Sequence, residues 1–301
     1  MSRIPLQKID VNIAKPPAKP AAPPQQNYSK ENILNLRESI DEHDISSYQP
    51  YFADTMSHFF LTESFYLENV ANIPLIQNDV TFHMRCLLID WLIEVHYKLM
   101  FVQETLYLTI NIIDRFLGSY EVPKNKLQLL GVTSLFVACK YEEVAPPNIE
   151  TFISLCDTDC KELWLVERYV LQKLDYTLDM PSPLNFIRVL SKADNYNEEV
   201  RLMAKYLLEI TFFDLKLNAV RFSLRAVTSM YISRIILDVN QCEDLFWEYS
   251  GFEKPDIEEC LELMLALLQR GVGYDFIRKK YSSSKFGRVA KIVDSYLASI
   301  N

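Results

Sequence analysis

Hydrophobic residues between positions 84 and 99 recur on two opposite sides of a helical wheel. One broad arc contains Met84, Leu87, Leu88, Trp91, Leu92, Val95 and Leu99, and the opposite arc contains Cys86, Ile89, Ile93 and Tyr97. A surface helix of a globular protein has one apolar face, so this pattern predicts a helix that is packed between neighbours. We therefore expect residues 84 to 99 to form the central helix of a helical domain.

One edge of the central helix combines apolar and acidic side chains. Met84, Leu87 and Trp91 adjoin Asp90 and Glu94 around the wheel. Either these acids form the solvated rim of a core helix, or the edge holds a peptide that carries a basic residue near a bulky apolar one. The pattern alone favours the first interpretation.

Helical periodicity continues on both sides of the central helix. Aromatic residues from Tyr48 to Tyr66 indicate a preceding helix, whose apolar face we expect to dock on the domain that follows it. Further helices are predicted at about 104–117, 123–142, 147–155, 160–174, 183–190, 197–213, 219–238, 242–250, 256–270 and 285–298. Because a five-helix pattern restarts after Pro181, we expect an all-α protein with two tandem domains, at 46–180 and 181–301.

Two local features concern how the central helix begins and what packs against it. Asn78 or Asp79 is a candidate N-cap for this helix. Gly131, Ser134 and Ala138 share one face of the helix predicted at 123–142. Small side chains at that spacing allow close approach, so we expect this face to contact the central helix.

Residues 1 to 45 have a different composition from the rest of the chain. Prolines separated by alanines and glutamines cannot build a hydrophobic core, so a disordered regulatory tail is predicted. Two short strings in it, Arg3-Ile4-Pro5-Leu6 and Lys30-Glu31-Asn32, resemble recognition signals for the ubiquitin ligase that ends mitosis. The alternative for the second string is the polar start of a short helix through Leu36.

Composition argues against catalysis, metal binding and membrane insertion. The six glycines form no phosphate-binding loop, and the four histidines have no metal-type spacing. Cys156 and Cys160 lack a second ligand pair, so neither a metal nor a cofactor is expected. No apolar run is long enough to span a membrane. The cysteines fit reduced thiols, and therefore the nucleus and cytoplasm.

The net charge of −9, with a pI near 5.1, makes a general phosphate-binding surface unfavourable. We therefore expect no nucleic-acid partner. This charge also opposes a DNA-binding helical factor, which would need a basic face.

Several motifs occur in the order that is typical of one protein family. Residues 84 to 97 resemble the central signature of a cyclin box. The further motifs are Asp114-Arg115-Phe116-Leu117, Lys126-Leu127-Gln128-Leu129, Lys140-Tyr141-Glu142-Glu143, Pro146-Pro147 and Pro181-Ser182-Pro183-Leu184-Asn185-Phe186. The chain is thereby identified as similar to cyclins, with the greatest likeness to mitotic B-type cyclins and A-type cyclins as near neighbours. Cys86, Leu87 and Val166 are mild apolar departures from the usual residues.

The resemblance implies a non-enzymatic subunit that binds and activates a cyclin-dependent protein kinase at the G2/M transition. In cyclins, the lysine matching Lys140 and the glutamate matching Glu167 form a pair across the kinase-binding surface. The full set implied for that surface is Lys140, Tyr141, Glu142, Glu143, Glu167, Leu171, Tyr176 and Leu178. Without the resemblance, an intradomain ion pair with no partner would be the preferred interpretation.

The resemblance also implies a docking site for substrate proteins that contain Arg-x-Leu motifs. Its residues would be Met84, Leu87, Leu88, Trp91, Glu94 and Gln128. Arg85 and Asp114 match a family salt bridge that joins the central helix to the next one, with a scaffold role. The alternatives are an A-type cyclin acting in S phase, a cyclin-fold transcription factor and an inert helical scaffold.

Overall fold

The computed structural model describes residues 49–67, 70–156, 158–239 and 241–300. These residues form fifteen α-helices and short 3-10 segments, and they include no β-strand. The helices are α1 Gln49–Thr62, α2 Ile73–Ile76, α3 Phe82–Leu99, α4 Gln103–Leu117, α5 Leu127–Glu142, α6 Ile149–Ile153, α7 Cys160–Lys173, α8 Pro183–Leu190, α9 Glu198–Thr211, α10 Leu215–Asn218, α11 Phe222–Ile236, α12 Glu243–Ser250, α13 Glu258–Arg270, α14 Asp275–Tyr281 and α15 Val289–Ile300. The all-α prediction is confirmed, whereas the predicted tail and its two motifs lie outside the described residues.

Helix α3 is packed on both sides, as its two apolar arcs predict. Leu88, Leu92 and Val95 belong to a core built from α3 to α7. Cys86, Ile89 and Ile93 belong to a second core, whose other members come mainly from α8 to α15. The central helix therefore lies between the two halves of the molecule. One apolar arc packs in the first half, and the opposite arc packs against the second half.

Helix α1 docks mainly on the second half. The ring of Phe59 lies 6.3 Å from that of Phe186, and the ring of Phe60 lies 5.2 Å from Phe186 and 6.0 Å from Phe252. The prediction that this helix docks on the domain directly after it was therefore wrong for these rings. An aromatic stripe predicts that the helix packs on an apolar surface, but it does not identify the domain to which that surface belongs.

Helices α3 and α5 approach closely at Gly131. A β-carbon at this position would lie 2.8 Å from Leu88 Cδ1, so only glycine fits without displacing that side chain. This confirms the expected contact between the small-residue face of α5 and the central helix.

The start of α3 differs from the prediction. The Thr81 hydroxyl accepts a hydrogen bond from the backbone N–H of Met84 at 3.2 Å, so Thr81 is the N-cap. Asn78 instead donates to the Glu121 carboxylate at 2.8 Å. Several polar residues precede the helix, and their order alone did not identify the one that caps it.

The two halves share several polar contacts besides their apolar interface. The Arg85 guanidinium donates to the carbonyl oxygen of Phe212 at 2.6 Å, at the end of α9. The Glu63 carboxylate accepts from the backbone N–H and the hydroxyl of Ser223, at 2.9 and 2.8 Å, and so caps the start of α11. Burial raises the pKa of Glu63 above its usual value. These contacts fix α3 and the segment that follows α1 relative to the second half.

Candidate functional site

An ion pair between Lys140 and Glu167 joins the last turn of α5 to the middle of α7. The Lys140 side chain is 40% exposed and that of Glu167 is 14% exposed, so the pair lies at the surface. The Lys140 ammonium also lies 4.2 Å from the centre of the Phe136 ring, a cation–π distance. An ammonium group has three N–H donors, so Lys140 can serve Glu167 and a second polypeptide together.

Tyr141 and Glu142 follow Lys140 at the end of α5. Tyr141 is exposed, and partial burial together with the nearby charge of Asp179 raises its pKa. Burial, with the charges of Glu104 and Glu143, raises the pKa of Glu142.

Glu143 makes internal contacts. Its carboxylate accepts from the backbone N–H of Val102 at 2.8 Å and from the Thr105 hydroxyl at 2.6 Å. Val102 is the N-cap residue of α4 and makes no side-chain cap of its own. Glu143 therefore satisfies the backbone N–H of the N-cap residue and fixes the end of α5 against the start of α4.

Leu171, Tyr176 and Leu178 complete the implied kinase-binding set. Leu171 and Leu178 are half-buried and pack against the core of the first half. Tyr176 is exposed and has a positive φ of 56°. Its backbone N–H donates to the carbonyl oxygen of Leu171 at 2.9 Å, which closes the end of α7.

The implied docking residues occupy α3 and the first turn of α5. Leu87 is exposed and Met84 and Trp91 are half-buried, whereas Leu88 is buried against Gly131. The six residues therefore differ in access: five of them are exposed or half-buried and provide the surface, and Leu88 lies beneath it.

The polar members of the docking set already have partners. Glu94 pairs with Lys98 at 2.7 Å, an exposed i,i+4 pair. The side-chain amide of Gln128 donates to the carbonyl oxygen of Leu155 at 3.0 Å.

Asp90 has a role that the sequence did not reveal. Its carboxylate accepts from the backbone N–H groups of Phe276 and Ile277, at 3.3 and 3.2 Å, at the start of α14. It is therefore an interdomain cap, and for Asp90 both interpretations, the favoured solvated rim and the alternative peptide-binding edge, were wrong. Burial raises its pKa, although the two backbone hydrogen bonds oppose this effect.

Arg85 and Asp114 form a buried bidentate ion pair. Both Arg85 Nε and Nη2 lie 2.6 Å from the two carboxylate oxygens of Asp114. Neither side chain is accessible enough to contact another protein, which fits a scaffold role.

A second buried cluster, which joins α9 to α14 within the second half, was missed. The Lys280 ammonium lies 2.8 and 2.7 Å from the two oxygens of Glu209, and the Tyr281 hydroxyl donates to Glu209 at 2.7 Å. Lys280 follows Arg278 and Lys279 in a run that is typical of a solvated face, so the sequence carried no signal for its burial. Burial, with the charge of Glu209, raises the pKa of Tyr281 well above its usual value.

Metal and membrane sites were also sought among the described residues. These residues contain no group of three or more His, Cys, Asp or Glu side chains placed to hold a metal ion. Within the same ranges, none of the helices has the length and apolar character needed to cross a lipid bilayer.

Comparison with known proteins gives a consistent result. The family model "Cyclin, N-terminal domain" matches residues 54–179, and "Cyclin, C-terminal domain" matches residues 181–295. A G2/mitotic-specific cyclin-B from Emericella nidulans is 41% identical over 212 residues, covering 70% of this chain and 44% of the relative. The G2/mitotic-specific cyclin cdc13 from Schizosaccharomyces pombe is 39% identical over 223 residues, covering 73% and 46%.

The chain thus matches about half the length of these curated relatives. Its fold is similar to the X-ray structure of a viral cyclin from herpesvirus saimiri, with a TM-score of 0.63 and 17% identity, over 73% of this chain and 100% of the viral one. Because the two family models together match residues 54–179 and 181–295, the chain belongs to the cyclin family.

Proposed function

We propose that this protein is a regulatory subunit that binds and activates a cyclin-dependent protein kinase and acts at the G2/M transition. The supporting observation is the Lys140–Glu167 pair, which is partly exposed, together with the exposed rings of Tyr141 and Tyr176 in the same implied set. The names of the relatives, G2/mitotic-specific cyclins, support the timing. We call the set Lys140, Tyr141, Glu142, Glu143, Glu167, Leu171, Tyr176 and Leu178 the kinase-binding face.

The mechanism is a shift in the kinase's conformational equilibrium. Apolar rings supply contact area, and the Lys140–Glu167 pair supplies donors and acceptors that fix the register. A surface that binds only the active arrangement of the kinase increases the population of that arrangement. Moving the equilibrium from mostly inactive to mostly active requires a difference in binding free energy of about 5 kcal/mol. The cyclin itself carries out no chemical step.

The test is activation of a purified yeast mitotic cyclin-dependent kinase, measured as phosphorylation of a histone peptide. We expect the wild-type chain to bind and activate the kinase, and Lys140→Glu to abolish both because it places two carboxylates side by side. The matched control is Lys126→Glu. Lys126, the residue just before α5, pairs with Glu162 on α7 at 2.8 Å, at the opposite end of α5 from Lys140.

Full activation by Lys140→Glu, or equal losses in the two variants, would contradict the role of the kinase-binding face. Circular dichroism and urea unfolding of both variants check that the fold is retained. A wild-type chain that neither binds nor activates the kinase would overturn the proposal as a whole.

The exposed side chains on α3 support a docking site for substrates with Arg-x-Leu motifs. Leu87 and Trp91 offer apolar surface beside the Glu94 carboxylate. Trp91→Ala should lower phosphorylation of such substrates and leave that of a short peptide without the motif unchanged. Equal losses on both substrates would exclude a docking role.

The tail strings support regulated destruction by the ubiquitin ligase of mitotic exit, in a protein that is present in the nucleus and cytoplasm. Replacing Lys30, Glu31 and Asn32 by alanine should lengthen the lifetime of the protein at mitotic exit. Unchanged turnover in a cycloheximide chase would remove this string from the proposal.

A further inference from the structure

The outer face of α7 carries a tryptophan that the kinase-binding face does not include. Trp164 is 55% exposed, although its ring is among the largest apolar groups in the chain. Its neighbour Leu165 is 57% exposed. Tryptophan is enriched at the energetic centres of protein interfaces, so its exposure on a regular helix calls for a partner.

The helical geometry separates these two exposed residues. Because 3.6 residues make one turn, Trp164 lies about 60° from Glu167 and about 20° from Leu171, on the same side of α7. Leu165 lies about 160° from Glu167, beyond the outward-facing side. Trp164 therefore continues the stripe of Glu167 and Leu171 by one turn towards the start of α7, whereas Leu165 does not.

The charges around Trp164 indicate the chemistry of its partner. Lys161 and Arg168 lie one turn before and after it, and both are exposed. Neither forms an ion pair with another residue in the described part of the chain. Two cations beside an indole ring fit a surface with an apolar recess bordered by carboxylates, in a chain whose net charge is otherwise −9.

We propose that Trp164 is a further contact for the kinase, inserting into an apolar recess bordered by acidic side chains. This inference rests on the proposed function, because it places the kinase on the stripe that contains Glu167. Lys161 and Arg168 increase the rate of association through long-range attraction, and the indole ring slows dissociation once it is buried.

The experiment measures binding of the full chain to the same purified yeast mitotic kinase by surface plasmon resonance. Trp164→Ala should raise the dissociation constant about tenfold or more, mainly through faster dissociation. Leu165→Ala is the matched control, since it removes an equally exposed apolar side chain from the same helix, and its affinity should equal that of the wild type. Lys161→Glu combined with Arg168→Glu should slow association and weaken its dependence on salt.

The outcomes separate this inference from the proposed function. If the wild type binds and Trp164→Ala binds equally well, or no worse than Leu165→Ala, the inference is overturned and the proposed function stands. If the wild type does not bind, the proposed function fails first. Trp164→Phe should retain most of the affinity for the kinase. If urea unfolding of Trp164→Ala equals that of the wild type, its loss of affinity comes from the interface and not from a loss of folding.

Discussion

At the scale of single residues, burial decides which ionisable groups act as structure. His96 on α3 is buried, and its Nε2 atom lies 2.7 Å from the carbonyl oxygen of Val102. Burial lowers its pKa below the usual value, although the hydrogen bond to Val102 opposes this effect. The folded protein therefore prefers the neutral imidazole, with its Nε2 proton donated to Val102.

This preference predicts a loss of stability in mild acid. Above the pKa of the unfolded state the ring of His96 is neutral in both the folded and the unfolded chain. The contribution of His96 to the free energy of unfolding is therefore fully present there. As the pH falls through the pKa of the unfolded state, the ring of His96 becomes protonated in the unfolded chain but stays neutral in the folded chain. The free energy of unfolding therefore decreases. His96→Gln, which keeps an N–H donor but does not titrate, should lose less stability between pH 7.5 and 5.5 in urea unfolding.

The control for this experiment is His58→Gln, at an exposed position on α1. It should lose as much stability as the wild type over the same pH interval. Identical losses in wild type and His96→Gln would show that His96 does not contribute.

At the scale of elements, α14 depends on a residue from a distant part of the chain. It has only seven residues, too few for a stable isolated helix, and its N-cap residue Tyr274 makes no side-chain cap. Asp90 on α3 supplies the acceptors instead. A helical pattern so short did not stand out in the sequence, which is why α14 was not predicted.

Asp90→Ala should therefore weaken α14 by about 1 kcal/mol, the usual effect of losing a helix cap. Faster amide hydrogen exchange at Phe276 and Ile277 is the expected signature. Asp159→Ala is the comparison, because Asp159 caps α7 through the Glu162 N–H at 2.8 Å within the first half. Asp159→Ala should speed amide exchange at Glu162 and leave amide exchange in α14 unchanged. Unaltered exchange at Ile277 in the Asp90→Ala variant would contradict the role of Asp90 as a cap.

At the scale of the whole molecule, the two halves are joined through Arg85. Its guanidinium holds Asp114 in the first half and the Phe212 carbonyl oxygen in the second, with every contact buried. Removing one member of such a pair leaves an uncompensated charge in the interior, and this penalty exceeds the loss of the attraction itself.

Arg85→Leu should lower the free energy of unfolding by about 3–5 kcal/mol, because the Asp114 carboxylate is left buried without its cation. Arg278→Ala breaks the exposed pair with Asp294, 2.7 Å apart, and should change stability by at most about 1 kcal/mol. Urea unfolding followed by circular dichroism measures both. Near-equal effects of the two substitutions would refute the coupling role, and the Arg85→Leu, Asp114→Leu double variant should recover part of the loss.

Local patterns in the sequence determined most of the helices and the two-sided packing of α3. The 3.6-residue period of the apolar positions marks where a helix runs and which of its faces is buried. The predicted bounds of α8, 183–190, accordingly agree with Pro183–Leu190. Ordered motifs also identified the family to which the chain belongs. These features depend on residues within a few turns of one another.

Contacts between distant segments were decided only by the tertiary structure. The Asp90 cap on α14, the docking of α1 on the second half and the internal position of Glu143 each join residues far apart in the chain. A carboxylate can face solvent, bind a partner or cap a helix, and the residue type alone does not determine which of these roles it has. Which one occurs depends on the N–H groups that folding brings within about 3 Å, and no local pattern encodes that distance.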